Sequence, residues 1–241
     1  MRVTRSALFR GRHFRDEIIV LCLRWYLRYP LSYRNLEEMM AERGLKLDHS
    51  TIARWVLLYA PVLNERIRLE MRWPNQSWRV DETYVRVAGT WTYLYRAIDS
   101  AGNTIDFLLS PKRDLTAAKA FLQSATLQVD ARRPRVISVN GHPAYPGAIE
   151  ELKRSGELGR NCRYRRAPYL NNILEQDHRF VKKRMISSQW FRSVDGALRT
   201  IAAYEAMNIA RKGQIRWLPK ADLLAKRSSS IARSASQPDL N

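Results

Sequence analysis

Along this chain of 241 residues the hydrophobic pattern changes period once, and the change divides the chain in two. From Arg15 the apolar positions Ile18, Leu21, Cys22, Trp25 and Tyr26 recur at the spacing that lines one helix face. From Trp78 the order is Trp-Arg-Val-Asp-Glu-Thr-Tyr-Val-Arg-Val, the alternation of a strand with one buried face. The two periods, segregated in this order, predict an all-α portion followed by an α/β portion.

The first portion reads as three short helices. Pro30 stops the first, Ser32 is placed to cap the second, and Glu38 lies too far along to close a capping box with it. Gly44 suits the end of that helix. Asp48 caps a third helix, His49 to Tyr59, expected to end at Pro61. Ile52, Trp55 and Val56 then turn inward, leaving His49, Ser50, Thr51 and Arg54 outward. Residues 13–62 have the form of a helix-turn-helix DNA reader, and equally of a plain helical bundle. Ahead of them, residues 1–12 are a basic arm with four arginines and no acid; residues 63–74 read as a charged linker.

In the second portion, strands at Trp78–Val87, Thr92–Ile98 and Thr104–Leu109 are separated by turns at Gly89 and at 99–103, where Asp99 serves the turn. Asp114 caps a helix from Leu115 to about Leu127. A short strand, Arg135–Val139, enters a turn at Gly141 and Pro143. A helix over Ala144–Ser155, an extended Cys162–Arg166, and helices over Asn171–Met185 and Val194 to about Arg211 follow. Three antiparallel strands and then alternating helices and strands predict a ribonuclease-H-like mixed sheet flanked by helices, spanning 75–212. Residues 213–241, rich in Ser and basic residues, read as a tail disordered in part.

Charge narrows the partner. Lys plus Arg number 42 against 23 Asp plus Glu, a net +19 that disfavours compaction unless a polyanion relieves it, and nucleic acid is the first such polyanion. A membrane partner is not expected, because the longest apolar run, Ile18–Leu23, falls far short of the roughly 20 residues of a span. No apolar core follows the basic Met1–Arg12 to make a secretory signal. Cys22 and Cys162 are too few for a disulfide framework or a zinc site, which fits a reducing cytoplasm.

Two segments, Trp-Arg-Val-Asp-Glu-Thr-Tyr at 78–84 and Asn-Asn-Ile-Leu-Glu-Gln-Asp-His-Arg at 171–179, resemble the first and last acidic motifs of DDE transposases. With Gly-Arg-His-Phe at 11–14 and Arg-Trp-Tyr-Leu-Arg-Tyr-Pro at 24–30, the chain resembles the bacterial insertion-sequence six family along nearly its whole length. The resemblance implies that Asp81 on the first strand and Glu175 on a late helix hold metal, with a second Asp at the end of the fourth strand. Here that position is Asn140, and 34 residues separate 140 from 175, the spacing the family uses. It further implies two Mg²⁺ ions, with Mn²⁺ able to substitute, and metal-dependent cleavage of 3′ DNA ends followed by strand transfer of the cointegrate-forming kind. The implied partners are double-stranded DNA, both terminal inverted repeats and target, and further copies of the chain in a homodimer or larger assembly. Its place would be the bacterial cytoplasm, on the nucleoid.

The chemistry explains the acids. One metal activates the attacking oxygen of a phosphodiester transfer and another steadies the leaving oxygen; Mg²⁺ takes oxygen ligands. Asn140 offers a carbonyl oxygen but no charge. Glu82 and Asp177 neighbour the motifs and are expected at the surface or behind the ligands. His178, three residues after Glu175, shares its helix face, whereas His142 reads as a loop residue and His13 as a DNA contact or plain surface. Arg179, Lys182 and Lys183 follow Glu175, Lys182 two helical turns on, as DNA contacts or as a solvated basic face. Arg163, Arg165 and Arg166, with Tyr164 and Tyr169, mix phosphate-pairing cations with stacking rings, as along a DNA channel. Two rival functions stand beside this one: a non-catalytic DNA-binding protein such as a repressor or domesticated transposase, and a structure-specific nuclease.

Overall fold

A computed structural model describes residues 7–129, 132–167, 172–187 and 191–216. The first six residues of the basic arm, Tyr169, Asn171 and the tail from 217 on lie outside them. The chain forms two compact units, one built from residues up to Met71 with those from Arg199 on, the other from Arg72–Ile186 with Trp190–Leu198.

In the first unit, α1 (Asp16–Arg28), α2 (Tyr33–Ala41) and α3 (His49–Leu69) follow in order. Ser32 caps α2 by accepting from the Asn35 backbone N–H, and Asn35 returns the bond to the Ser32 N–H. The capping box excluded for Glu38 is thus closed by an amide three residues on. Gly44 sits at φ +74°, in the left-handed region that glycine enters freely, and turns the chain out of α2. Ile19, Leu36, Met40, Ile52 and Val56 are fully buried, each side chain contributing roughly 1.5–3 kcal/mol of transfer free energy. α3 does not end at Pro61 but continues to Leu69. Proline removes one helical hydrogen bond there, and the continuation gains a buried Ile67, packed with Ile209 and Ile215. Ile209 comes from a segment expected in the catalytic portion, and Ile215 from the start of the segment expected to be tail, which is buried here instead. From residue 199 on, α7 (Val194–Lys212) clusters with the first unit, where Ile201, Tyr204 and Ala206 are buried and Tyr204 lies 5.8 Å from Tyr26, ring to ring.

The second unit is a five-stranded sheet of order β3-β2-β1-β4-β5. β1 (Ser77–Val87), β2 (Thr90–Asp99) and β3 (Thr104–Ser110) form an antiparallel meander, and β4 (Val136–Val139) and β5 (Arg163–Arg166) run parallel to β1. The parallel steps are made by α4 (Leu115–Leu127) and α5 (Ala144–Arg154), and α6 (Asn172–Ser187) follows β5. This is the ribonuclease-H-like arrangement. One sheet face packs Trp78, Val80 and Tyr95 against Phe121, Leu122, Tyr145 and Ile149 of α4 and α5. Asp99 serves its turn as expected, accepting from the backbone N–H groups of Ala101 and Asn103. Among the described residues no helix is long and apolar enough to cross a membrane.

Candidate active site

Strand register builds the site. β1 and β4 pair in parallel with Val80 opposite Val139, so the next residues, Asp81 and Asn140, emerge side by side where β4 ends. Asn140 Nδ2 donates to Asp81 Oδ1 at 2.6 Å, and Asn140 Oδ1 accepts from the His142 backbone N–H at 3.2 Å. The amide oxygen, the one atom of Asn140 able to ligate a cation, is therefore engaged away from Asp81.

Across the other edge of β1, Asp81 stands opposite Arg96 of β2. Arg96 donates to Asp177 Oδ2 at 2.6 Å, with side chains 1% and 6% exposed. Asp177 lies two residues beyond Glu175, so a buried ion pair docks the Glu175 helix onto the strand beside Asp81. The same helix turns His178 inward, its Nε2 3.9 Å from Asp81 Oδ2, and among the described residues neither of its ring nitrogens has a hydrogen-bond partner. Burial first, and then the charge of Arg96, pull the His178 pKa down to about 3, which keeps the imidazole neutral. Asp81 moves the opposite way: burial, with the charge of Glu82 next, pushes its carboxyl up to about 7. Glu175, exposed on α6, adds to that rise through its own charge. Among the described residues, the one His/Cys/Asp/Glu trio with ligand atoms all within 4.8 Å is Glu37, Asp48 and His49, in the first unit. Asp81, Glu175 and His178 are not drawn that close.

Glu82 and Asp177 are not surface residues. Alternation sends Glu82 to the opposite face of β1 from Asp81, where its buried carboxylate accepts from Arg113 and, at 2.6 Å, from the Tyr145 hydroxyl. A buried acid must be partnered, and both acids found cations from distant elements. Neither Arg96 nor Arg113 stands out by motif; the one hint is a lone arginine inside the apolar run Tyr93–Ile98.

Arg163, Arg165 and Arg166 are exposed on β5, and Tyr164 packs on the core between them. Gly141, at φ +105°, leaves room for Arg166; a Cβ there would lie 2.5 Å from Arg166 Nε. Arg179 and Lys183 are exposed on α6 and Lys182 is half-buried. In the first unit Ser50 and Arg54 are exposed at the start of α3, and Arg54 donates to Thr51 Oγ1 at 2.9 Å. His49 Nδ1 lies 3.0 Å from Glu37 Oε2, so that ring is already engaged.

A family profile described as a DDE domain, of the IS240 transposase type, matches residues 75–214. The transposase of the insertion sequence-like element IS431mec of Staphylococcus aureus is 36% identical over 199 residues, 83% of this chain and 88% of the relative. That of element IS257 in transposon Tn4003, also from S. aureus, is 35% identical over the same share. The catalytic core of HTLV-2 integrase, solved in complex with magnesium, superposes with a TM-score of 0.42 at 17% identity, covering 61% of this chain and 97% of that one. The ribonuclease-H-like sheet and the matched domain define the class, that of DDE transposases. Within it, the chain belongs to the insertion-sequence six family.

Proposed function

We propose that this protein binds the terminal inverted repeats of an insertion sequence and acts at the 3′ ends of the element, freeing hydroxyls that join target DNA in the cointegrate-forming mode. The observation that carries the reading is Asp81 beside position 140, with the helix that bears Glu175 held to β2 by the Arg96–Asp177 ion pair, inside a matched DDE domain. The donor set suits a hard divalent ion, Mg²⁺ or Mn²⁺, in all but one respect. Asp81 and Glu175 supply carboxylates, and Asn140 would have to turn its amide to present an oxygen. When bound, two such ions would activate the attacking oxygen and steady the leaving one.

The chain's own residues do the rest. Arg166, next to Gly141, and Lys182, Arg179 and Lys183 on α6 hold phosphates near the acids. Ser50, Thr51 and Arg54, with His49 beside them, read base edges from the exposed start of α3. The chain works as a homodimer or larger assembly, one site per DNA end, on the nucleoid. A second reading, DNA binding without catalysis, draws on the Asn140 amide already satisfying Asp81.

The test is gel-shift binding to duplexes from the DNA flanking the coding region. Element ends should outcompete random duplex, and Arg54→Ala should weaken end binding by about 1–3 kcal/mol while sparing random DNA. Equal affinity for ends and random DNA would sink the terminal-repeat reading.

A further inference from the structure

The site is one carboxylate short, yet it holds a donor that the acidic motifs do not count. His178 is 7% exposed, both of its ring nitrogens lack a hydrogen-bond partner among the described residues, and Nε2 lies 3.9 Å from Asp81 Oδ2. An imidazole buried without a hydrogen bond forgoes the bonds that water would have given it, and such groups in native structures call for an explanation, an unfilled ligand among them. Distance supports a shared ion. Nitrogen and oxygen ligands lie roughly 2.0–2.2 Å from a divalent metal, so two ligands of one ion cannot be more than about 4.3 Å apart. The Asp81–His178 separation of 3.9 Å falls inside that limit. His178 also sits three residues beyond Glu175 on α6, on the face that carries Glu175.

Resting on the reading of Asp81 and Glu175 as metal ligands, we propose that His178 is a third ligand, donating Nε2 in place of the carboxylate lost at position 140. The consequence is a change of preferred metal. Mg²⁺ seeks oxygen and gains little from an imidazole, whereas first-row transition ions bind nitrogen more strongly. A site of two carboxylates and one imidazole favours Mn²⁺ over Mg²⁺.

The experiment uses the full chain with Mn²⁺ and Mg²⁺ alone, in calorimetric titration, and electron spin echo spectroscopy of the Mn²⁺-loaded chain. The unsubstituted protein should bind Mn²⁺ at least about tenfold more tightly than Mg²⁺ and show nitrogen coupling to the manganese. His178→Gln, which keeps length and polarity, should abolish the coupling and remove most of the Mn²⁺ preference with Mg²⁺ affinity little changed. Absence of coupling in the unsubstituted chain, or coupling that survives His178→Gln, overturns the proposal; the first readout stands even if the variant misfolds. Asp81→Asn separates the layers. If it leaves Mn²⁺ binding intact, the metal reading of Asp81 fails; if it removes binding while the parent shows no nitrogen coupling, the role of His178 alone fails.

Discussion

Replacing Asn140 by Asp would exchange a hydrogen bond for a repulsion and make the site dependent on metal. In the structure the Asn140 amide donates to Asp81 Oδ1 at 2.6 Å. A carboxylate there would put two like charges about 3 Å apart, worth roughly 5 kcal/mol at an effective dielectric near 20. The pair can escape by holding a proton, and Asp81, whose carboxyl is already pushed up to about 7, takes it at little further cost near pH 7. The metal-free variant should therefore lose little at about pH 5 and about 1–2 kcal/mol more than its parent at about pH 8, one unit above that value. Asp81 already has its carboxyl pushed up to about 7, above its unfolded value, so the folded chain binds more protons than the unfolded one. Its contribution is thus fully present below about pH 4 and lost as pH rises through about 7. In the variant this fall should be steeper. Mn²⁺ neutralises the pair, and at a hundredfold excess over the variant's Kd it should stabilise the variant by about 2.7 kcal/mol. Urea unfolding of both proteins at about pH 5 and about pH 8, with chelator or Mn²⁺, measures each of these. If chelated Asn140→Asp were as stable as its parent at the higher pH, or one fixed Mn²⁺ concentration stabilised the two equally, the placement of residue 140 against Asp81 would be refuted.

Three further outcomes follow from the same geometry. Arg96→Met should cost about 3–5 kcal/mol in urea unfolding, because it breaks one side of a buried ion pair, and Arg96→Met with Asp177→Leu should recover most of the loss; equal losses in the single and double variants would mean the pair is not coupled. Gly141→Ala should lower stability by about 1–3 kcal/mol, since φ is +105° and the new Cβ would meet Arg166, and an unchanged melting curve would contradict that packing. Lys182→Ala should reduce the slope of log K against log salt for DNA by about one unit, and an unchanged slope would leave Lys182 a solvated cation.

Local rules carried the strands well. Alternation places β1 within one residue of its observed start, and the 140-to-175 gap singles out the loop position that register sets beside Asp81. Where the reading departed from the structure, a distant partner decided. Pro61 should have stopped α3, but the lost hydrogen bond is outweighed by apolar residues beyond it that find Ile209 and Ile215. The periodicity of α7 announces a buried face without saying what covers it, and from residue 199 the cover is the first unit. Arg96 meets Asp177 across 81 residues of sequence, a pairing no local pattern encodes. His178 could be placed on the Glu175 face by spacing, but that both its nitrogens are buried without partners is a fact of three-dimensional packing.

Cleavage tests most directly the proposed strand-transfer site with one ligand changed at position 140. Duplexes carrying the element's ends, incubated with Mn²⁺ or Mg²⁺ and either the chain or its Asn140→Asp variant, should show 3′-end nicking and joining to target DNA. A missing charge among metal ligands should raise the barrier by a few kcal/mol, and each 1.36 kcal/mol is about tenfold, so the variant should be roughly a hundredfold to ten-thousandfold faster. Equal rates would contradict the role given to position 140, and cutting by neither protein, with both bound to the ends, would contradict the site itself.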